Sequence, residues 1–162
     1  MKRELINKIV NHLTTELDSL INAANNAHLA AIDEQSIAET QYDTLAIEQS
    51  YLAQGQSRRV KELQQAILSC KNMPLHESPK PNSLKPVALA SLVQLAQDQA
   101  VKSWFFIAPA AAGYRTQIAE LNITVITPQS PMGKVLMGKQ IDDDVCLTIQ
   151  DKLLEDYICD IK

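Results

Sequence analysis

The chain has 162 residues, of which 46% are hydrophobic and 21% charged, a balance that is typical of a protein with a packed core. Its net charge of −4 argues against a protein that coats nucleic acid by bulk electrostatic attraction. No apolar run approaches the roughly 20 residues that span a bilayer, and no signal-peptide pattern opens the sequence, so we predict a cytoplasmic protein without membrane contact.

The first predicted element is a long amphipathic helix. Its apolar residues recur at alternating spacings of four and three, which is the heptad seam of a coiled coil. The seam consists of Ile6, Val10, Leu13, Leu17, Leu20, Ala24, Ala27 and Ala31. The change from large residues to Ala along the seam would let a second helix approach closely at the far end.

A second helix is predicted from about Ser36 to Cys70. If it folds back on the first, residues 1–73 form an antiparallel coiled-coil hairpin of roughly 45 Å at 1.5 Å per residue. The acidic stretch at 33–39 is then the tip of this hairpin. Gly55 lies inside the second helix, at a cost of about 1 kcal/mol relative to Ala. Three polar residues interrupt the second seam: Gln49, Gln56 and Arg59.

A proline-rich segment follows the second helix. Four of the seven prolines fall between positions 74 and 86. Helix cannot continue through such spacing, because each proline removes a backbone donor and restricts the residue before it. We therefore predict a linker at 74–86 and a domain boundary there.

Residues 87–162 are predicted to form a compact α+β domain with one short helix and five strands. The predicted strands are 87–95, 101–108, 121–127, 144–149 and 154–161. Ser130 is expected to cap the helix with Pro131 in its first turn, and Gly138 to end it in a left-handed conformation. Its expected apolar face is Met132, Val135 and Leu136.

The cysteines and histidines are scattered and show no metal-ligand spacing, so we predict reduced, buried or half-buried thiols and no zinc site. The aromatic residues of the second domain are expected to form its core, with a prolyl isomerase pocket as the alternative. These residues are Trp104, Phe105, Phe106 and Tyr114.

The stretch at 123–145, Ile-Thr-Val-Ile-Thr-Pro-Gln-Ser-Pro-Met-Gly-Lys-Val-Leu-Met-Gly-Lys-Gln-Ile-Asp-Asp-Asp-Val, resembles Gre-type transcript cleavage factors. The family has a strand, Ser-Pro, a small residue, a Leu, Gly-Lys and an Asp-x-Val strand start. The matching residues are Ser130, Pro131, Gly133, Leu136, Gly138, Lys139, Asp143 and Val145. Positions 39–42 and 51–59 are similar to the start of the family's second helix. The resemblance covers nearly the whole chain and implies an FKBP-like second domain.

The resemblance implies a monomeric transcription elongation factor that binds the core or the elongation complex of bacterial RNA polymerase. The hairpin would enter the secondary channel and bring the tip carboxylates Asp33, Glu34 and Glu39 to the active site. There Glu39 and Asp33 would help hold a Mg²⁺ ion shared with the polymerase, since Mg²⁺ prefers oxygen ligands. Such a protein is no enzyme itself but stimulates the polymerase's own cleavage of backtracked RNA, and it contacts nascent RNA only inside the polymerase.

Further residues are assigned to partner binding. Ser130, Pro131 and Lys139 belong to the family motif and are expected to contact the polymerase. Arg58 and Arg59, on the second helix, are expected either to contact the polymerase or RNA, or to form an ordinary solvated helix face.

The tip departs from the family's pattern, which has an Asp, two residues and Glu-Asn before a further Glu-Tyr. Alignment on Tyr42 puts Gln35 at the Asp position and Ala38 at the Glu position, whereas alignment on Glu39 requires a shift of one residue. Two alternatives therefore stand beside cleavage stimulation: a cleavage-inactive regulator that occupies the channel, and a helical-hairpin module with another partner. The plain alternative for the carboxylates themselves is helix capping at a turn.

Overall fold

The computed structural model describes residues 1–34, 42–75, 86–149 and 152–162, without the side chains of 27–34, 42–54, 149 and 152. Three α-helices are present in these ranges: α1 Lys2–Glu34, α2 Tyr42–Lys71 and α3 Pro131–Leu136. Six strands are present: β1 Leu92–Leu95, β2 Ser103–Ile107, β3 Arg115–Ile118, β4 Leu121–Ile126, β5 Asp144–Ile149 and β6 Lys152–Ile161. A single 3₁₀ turn, Ala96–Asp98, follows β1. The protein is therefore α+β, with two long helices first and a sheet after them, as predicted.

The chain divides into two compact units. The first consists of Met1–Val10 together with Ser69–Lys162, and the second consists of Asn11–Leu68. We call them the sheet unit and the helical unit. Most of the predicted linker, at 76–85, lies outside the described residues, so the boundary at 74–86 stays a prediction.

In the helical unit, each helix buries one stripe of side chains. Leu13 on α1 and Leu63 on α2 are buried. On α1, the half-buried positions continue the predicted seam: Leu17, Leu20 and Ala24. On α2, the half-buried positions are Gln56, Val60, Ala66 and Ile67. Arg59 was predicted on the seam and is exposed, because Val60 takes that place on the stripe.

The sheet is mixed, with the strand order β3-β4-β2-β1-β6-β5. β2 and β4 pair in parallel, and every other neighbouring pair is antiparallel. β3 and β5 are therefore the two edge strands. α3 follows β4, contacts β5 and leads into it.

One face of the sheet packs against α3. Leu136 is fully buried, and Met132 and Val135 pack against the same core, which confirms the predicted apolar face of α3. The sheet contributes its own apolar residues to this core: Val93, Leu95, Ile107, Ile126, Val145, Ile158 and Ile161.

The opposite face is also buried. Successive strand residues point to opposite faces, so Trp104 and Phe106 point away from Phe105 and Ile107. On this opposite face, the buried residues of the inner strands are Leu92, Trp104, Phe106, Ile123 and Val125. The first turns of α1 belong to the same unit and carry fully buried Leu5 and Ile9. The Lys8 ammonium donates a hydrogen bond to the Gln117 carbonyl at 2.9 Å, which brings this part of α1 to β3.

Two strand predictions need correction. β1 is shorter than the predicted 87–95, because Val87 pairs instead with the backbone of Gly138 and Lys139, and Ala90 adopts a left-handed φ of 65°. β3 was missed, so the prediction of five strands is wrong. Its four residues are mostly polar because an edge strand keeps much of its surface in water.

Candidate functional site

The predicted tip lies between the two long helices. Asp33 and Glu34 are the last described residues of α1, and the described part of α2 begins at Tyr42. Both the metal-positioning role of these carboxylates and the helix-capping alternative therefore stay predictions.

The chemistry of the tip stays a prediction. Glu39 lies outside the described residues, and the side chains of Asp33 and Glu34 are not described. Carboxylate oxygens are nevertheless the donor type that Mg²⁺ prefers. Among the described side chains, no group of three or more His, Cys, Asp or Glu residues has a metal-binding arrangement.

Arg58 and Arg59 form ion pairs within the helical unit. The Arg59 Nη2 atom lies 2.7 Å from the Glu16 Oε1 atom, and its Nη1 atom lies 3.7 Å from Glu62 Oε2. Arg58 Nε lies 3.0 Å from Glu62 Oε1, one helical turn away. The Arg58 side chain is 82% exposed, so this pair contributes little to stability and is easily exchanged for another partner. Both the solvated-face and the partner-binding interpretations of these arginines stay open.

Ser130 is the N-cap of α3, as predicted. Its φ and ψ are −64° and 154°, and its Oγ atom accepts a hydrogen bond from the Gly133 amide at 3.1 Å. The same hydroxyl donates to the Thr127 carbonyl at 2.7 Å. Pro131 follows in the first turn, and its ring is exposed. The hydroxyl of Ser130 is thus used inside the protein, whereas Pro131 is available at the surface.

Gly133 is required by close packing at the same turn. A Cβ atom added there would overlap the Thr127 carbonyl oxygen. The predicted left-handed residue after α3 is also confirmed, since Gly138 has a φ of 79°. These two glycines let the chain leave β4, turn once through α3 and enter the next loop without steric conflict.

The remaining motif residues hold the loop between α3 and β5. The Lys139 carbonyl accepts a hydrogen bond from the Val87 amide at 2.8 Å, and no described carboxylate pairs with the Lys139 ammonium. Asp143 also matches the family motif, but the sequence predicted no function for it. Its Oδ2 atom accepts from the Gln140 amide at 2.7 Å, and its carbonyl accepts from the Ile158 amide at 3.1 Å. Most of the family-like motif therefore has a structural explanation, which leaves Pro131 and Lys139 as its accessible groups.

The aromatic residues are divided between the two faces of the sheet. Trp104 and Phe106 are buried on one face, as expected of core residues, and Phe105 is half-buried on the other. The Lys162 ammonium lies 4.1 Å from the centroid of the Trp104 ring. This division argues against a single aromatic pocket of the prolyl isomerase type.

The three cysteines are free thiols. Cys70 is buried, and burial raises the pKa of its thiol. Cys159 is half-buried and its Sγ atom contacts the Gln94 carbonyl at 3.3 Å. Cys146 is exposed, which corrects the prediction that all three are at least half-buried.

None of the helices in the described parts of the chain has the length and apolar character that crossing a bilayer requires.

No protein-family model matches this sequence, and no curated protein matches it significantly. Several solved structures are similar to it. The GreA factor homolog 1 (Gfh1) protein of Thermus thermophilus has 19% sequence identity and a TM-score of 0.37, over 94% of each chain. A second structure, described as the transcription factor Gfh1, has 19% identity and a TM-score of 0.38, over 94% of this chain and 92% of that one. Thermus aquaticus Gfh1 has 17% identity and a TM-score of 0.36, over 93% of this chain and 92% of that one.

Proposed function

We propose that this protein is a transcription elongation factor that binds bacterial RNA polymerase. The two long helices would form an antiparallel hairpin that enters the secondary channel of the polymerase. The FKBP-like part of the sheet unit would dock outside, with Pro131 and Lys139 at the contact. The proposal rests on the family-like motif at 123–145 and on the position of the tip carboxylates.

The observation that carries the proposal is the pair of long helices, α1 and α2, which are joined by the ion pair of Glu16 with Arg59. Asp33 and Glu34 are the last described residues of α1, and Glu39 follows before α2, so the connection between the helices is acidic in sequence. A connection of this kind can present negative charge to a metal or a basic partner.

A contact in the helical unit is compatible with an antiparallel pairing of α1 and α2. The ion pair of Glu16 with Arg59 joins the two helices at 2.7 Å. In an antiparallel hairpin, this contact would place position 33 opposite position 42, close to the ends of the two described ranges.

The length of α1 suits delivery of the tip into a deep channel. At 1.5 Å per residue, a helix of its size extends about 50 Å. Asp33 and Glu39 would offer carboxylate oxygens to the active site, and Glu34 would add negative charge beside them. These carboxylates would help hold a Mg²⁺ ion shared with the polymerase, and the chemistry supplied by such an ion would be activation of water and stabilisation of a leaving oxygen. The chain contributes positioning and charge, and the polymerase carries out the cleavage.

A cleavage assay on stalled elongation complexes tests this proposal. We expect the wild-type protein to shorten the nascent RNA and the triple variant D33A/E34A/E39A to lose this effect. D18A, at an exposed position on the same helix, is the matched control and is expected to retain it. Absence of binding to core polymerase would rule out the proposal.

A channel-occupying regulator is the second candidate, because neither alignment of the tip places both family carboxylates in register. This candidate predicts binding to the polymerase and inhibition of nucleotide addition without RNA shortening. Binding that survives in the triple variant, without any wild-type cleavage, would favour it over cleavage stimulation.

A further inference from the structure

An open groove of about 610 Å³ lies on the sheet face formed by β2, β3 and β4. Its floor on that face consists of six side chains: Ser103, Phe105, Arg115, Gln117, Asn122 and Thr124. All belong to the sheet unit.

The floor is ordered by strand register. Cross-strand partners in a sheet present their side chains on the same face, and the pairing here aligns them in two rows. The rows are Arg115, Thr124 and Phe105, then Gln117, Asn122 and Ser103. The next row, Ile107 and Ile126, belongs to the core beneath α3. The groove therefore begins where the helix no longer covers the sheet.

The groove contains hydrogen-bonding groups without a partner. In the described parts of the chain, no side chain or backbone group pairs with the Arg115 guanidinium, the Gln117 amide or the Thr124 hydroxyl. Asn122 is held in place, because its amide donates to the Val101 carbonyl at 3.0 Å. Arg115 is the only charged residue in the lining, so the groove presents a single positive charge beside neutral donors and acceptors.

The outer edge of β3 is partly occupied. Although β3 is an edge strand, the Lys8 ammonium already bonds to the Gln117 carbonyl at 2.9 Å. An incoming strand cannot pair with β3 at that point without displacing Lys8. A ligand therefore meets this region from the face of the sheet, through the side chains, rather than through the backbone edge.

We propose that this groove binds an acidic peptide segment of a protein partner. Arg115 would pair with a carboxylate through its planar fork, which suits two-point contact with carboxylate oxygens. Gln117 and Thr124 would bond the peptide backbone, and Phe105 would contact an apolar side chain. A nucleic acid fits less well, because its backbone carries a negative charge at every phosphate whereas the groove offers only one cation. The site stands independently of the proposed function.

An NMR titration of the ¹⁵N-labelled full chain tests this site. The probe is the capped peptide Ac-Ala-Phe-Glu-Glu-Ser-Ala-NH₂, with Gln replacing both Glu residues in the matched control peptide. We expect amide shifts concentrated at Arg115, Gln117 and Thr124. Because Arg115 is exposed, its pair with a carboxylate contributes at most about 1 kcal/mol. The control peptide and the R115Q variant should therefore each bind up to about fivefold more weakly.

R3Q, at an exposed position of α1, is the control substitution and should bind the acidic peptide as the wild type does. Unchanged spectra elsewhere in R115Q would show that the variant is folded. Equal binding of the two peptides, shifts scattered over the surface, or preferential binding of a six-nucleotide single-stranded RNA at these residues would each overturn the proposal.

Discussion

The Arg59 guanidinium on α2 contacts the Glu16 carboxylate on α1, with 2.7 Å between Nη2 and Oε1. Both side chains remain about half exposed, at 53% and 41%. Exposed pairs of this kind contribute at most about 1 kcal/mol to stability. This pair is informative because of its position, since it marks where two helical segments that lie far apart in the sequence meet.

A double-mutant cycle with E16Q and R59Q should measure this contact. We expect a coupling energy of about 0.2–1 kcal/mol at low salt, falling as salt screens the charges. Urea unfolding of the four proteins provides the free energies. The cycle of R58Q with E62Q is the control for a pair within one helix, where about 0.3–0.5 kcal/mol is expected. A coupling energy of zero between positions 16 and 59 at low salt would contradict the contact.

Two helical glycines should respond in opposite directions to the same substitution. Gly55 is exposed on α2, and an added Cβ would meet nothing within 4 Å, so G55A should stabilise the protein by about 1 kcal/mol. At Gly133 the added Cβ would overlap the Thr127 carbonyl oxygen. G133A should therefore cost about 1–3 kcal/mol, as overpacking does. Thermal and urea unfolding would show both effects, and equal responses at the two positions would disprove the close packing at Gly133.

The carboxyl group of Asp98 should make stability depend on pH. Its pKa is raised, first because burial disfavours the charged form and second because the Asp156 carboxylate repels it. The folded protein therefore binds this proton more tightly than the unfolded chain. Asp98 destabilises the fold as pH rises from the ordinary Asp range through the raised pKa.

D98N removes this effect, so it should stabilise the protein near pH 7 relative to the wild type. Near pH 3, below the ordinary Asp pKa of about 3.9, D98N should no longer be more stable than the wild type. Urea unfolding at both pH values measures the difference. In an NMR titration, D156N should lower the pKa of Asp98. An unchanged pKa in D156N would remove the repulsion as a cause.

Local patterns were enough to predict several elements. The spacing of apolar residues predicted α1, since a helix must place them on one side. Ser130, Pro131 and Gly138 predicted the start and end of α3 because caps depend on backbone geometry within a few residues. The edge strand β3 was missed, because Arg115, Thr116 and Gln117 carry no apolar alternation. Only pairing with β4 makes those residues a strand.

The candidate tip was predicted as far as local pattern allows. The acidic residues and their place between two helices were readable in sequence. The geometry of their carboxylates depends on how α1 and α2 pair, which no local pattern encodes.

By itself, the sequence determined the long helices, the cap and turn of α3 and the apolar content of the strands, because these depend on neighbours within a few residues. Only the tertiary structure decided that Trp104 lies opposite Ile123 and Phe105 opposite Thr124 in the pairing of β2 with β4. It also decided that Arg115 lies beside Thr124 and that its guanidinium has no hydrogen-bond or ion-pair partner among the described residues. The physical reason is that strand order and register depend on contacts between residues far apart in the chain, which no local pattern encodes.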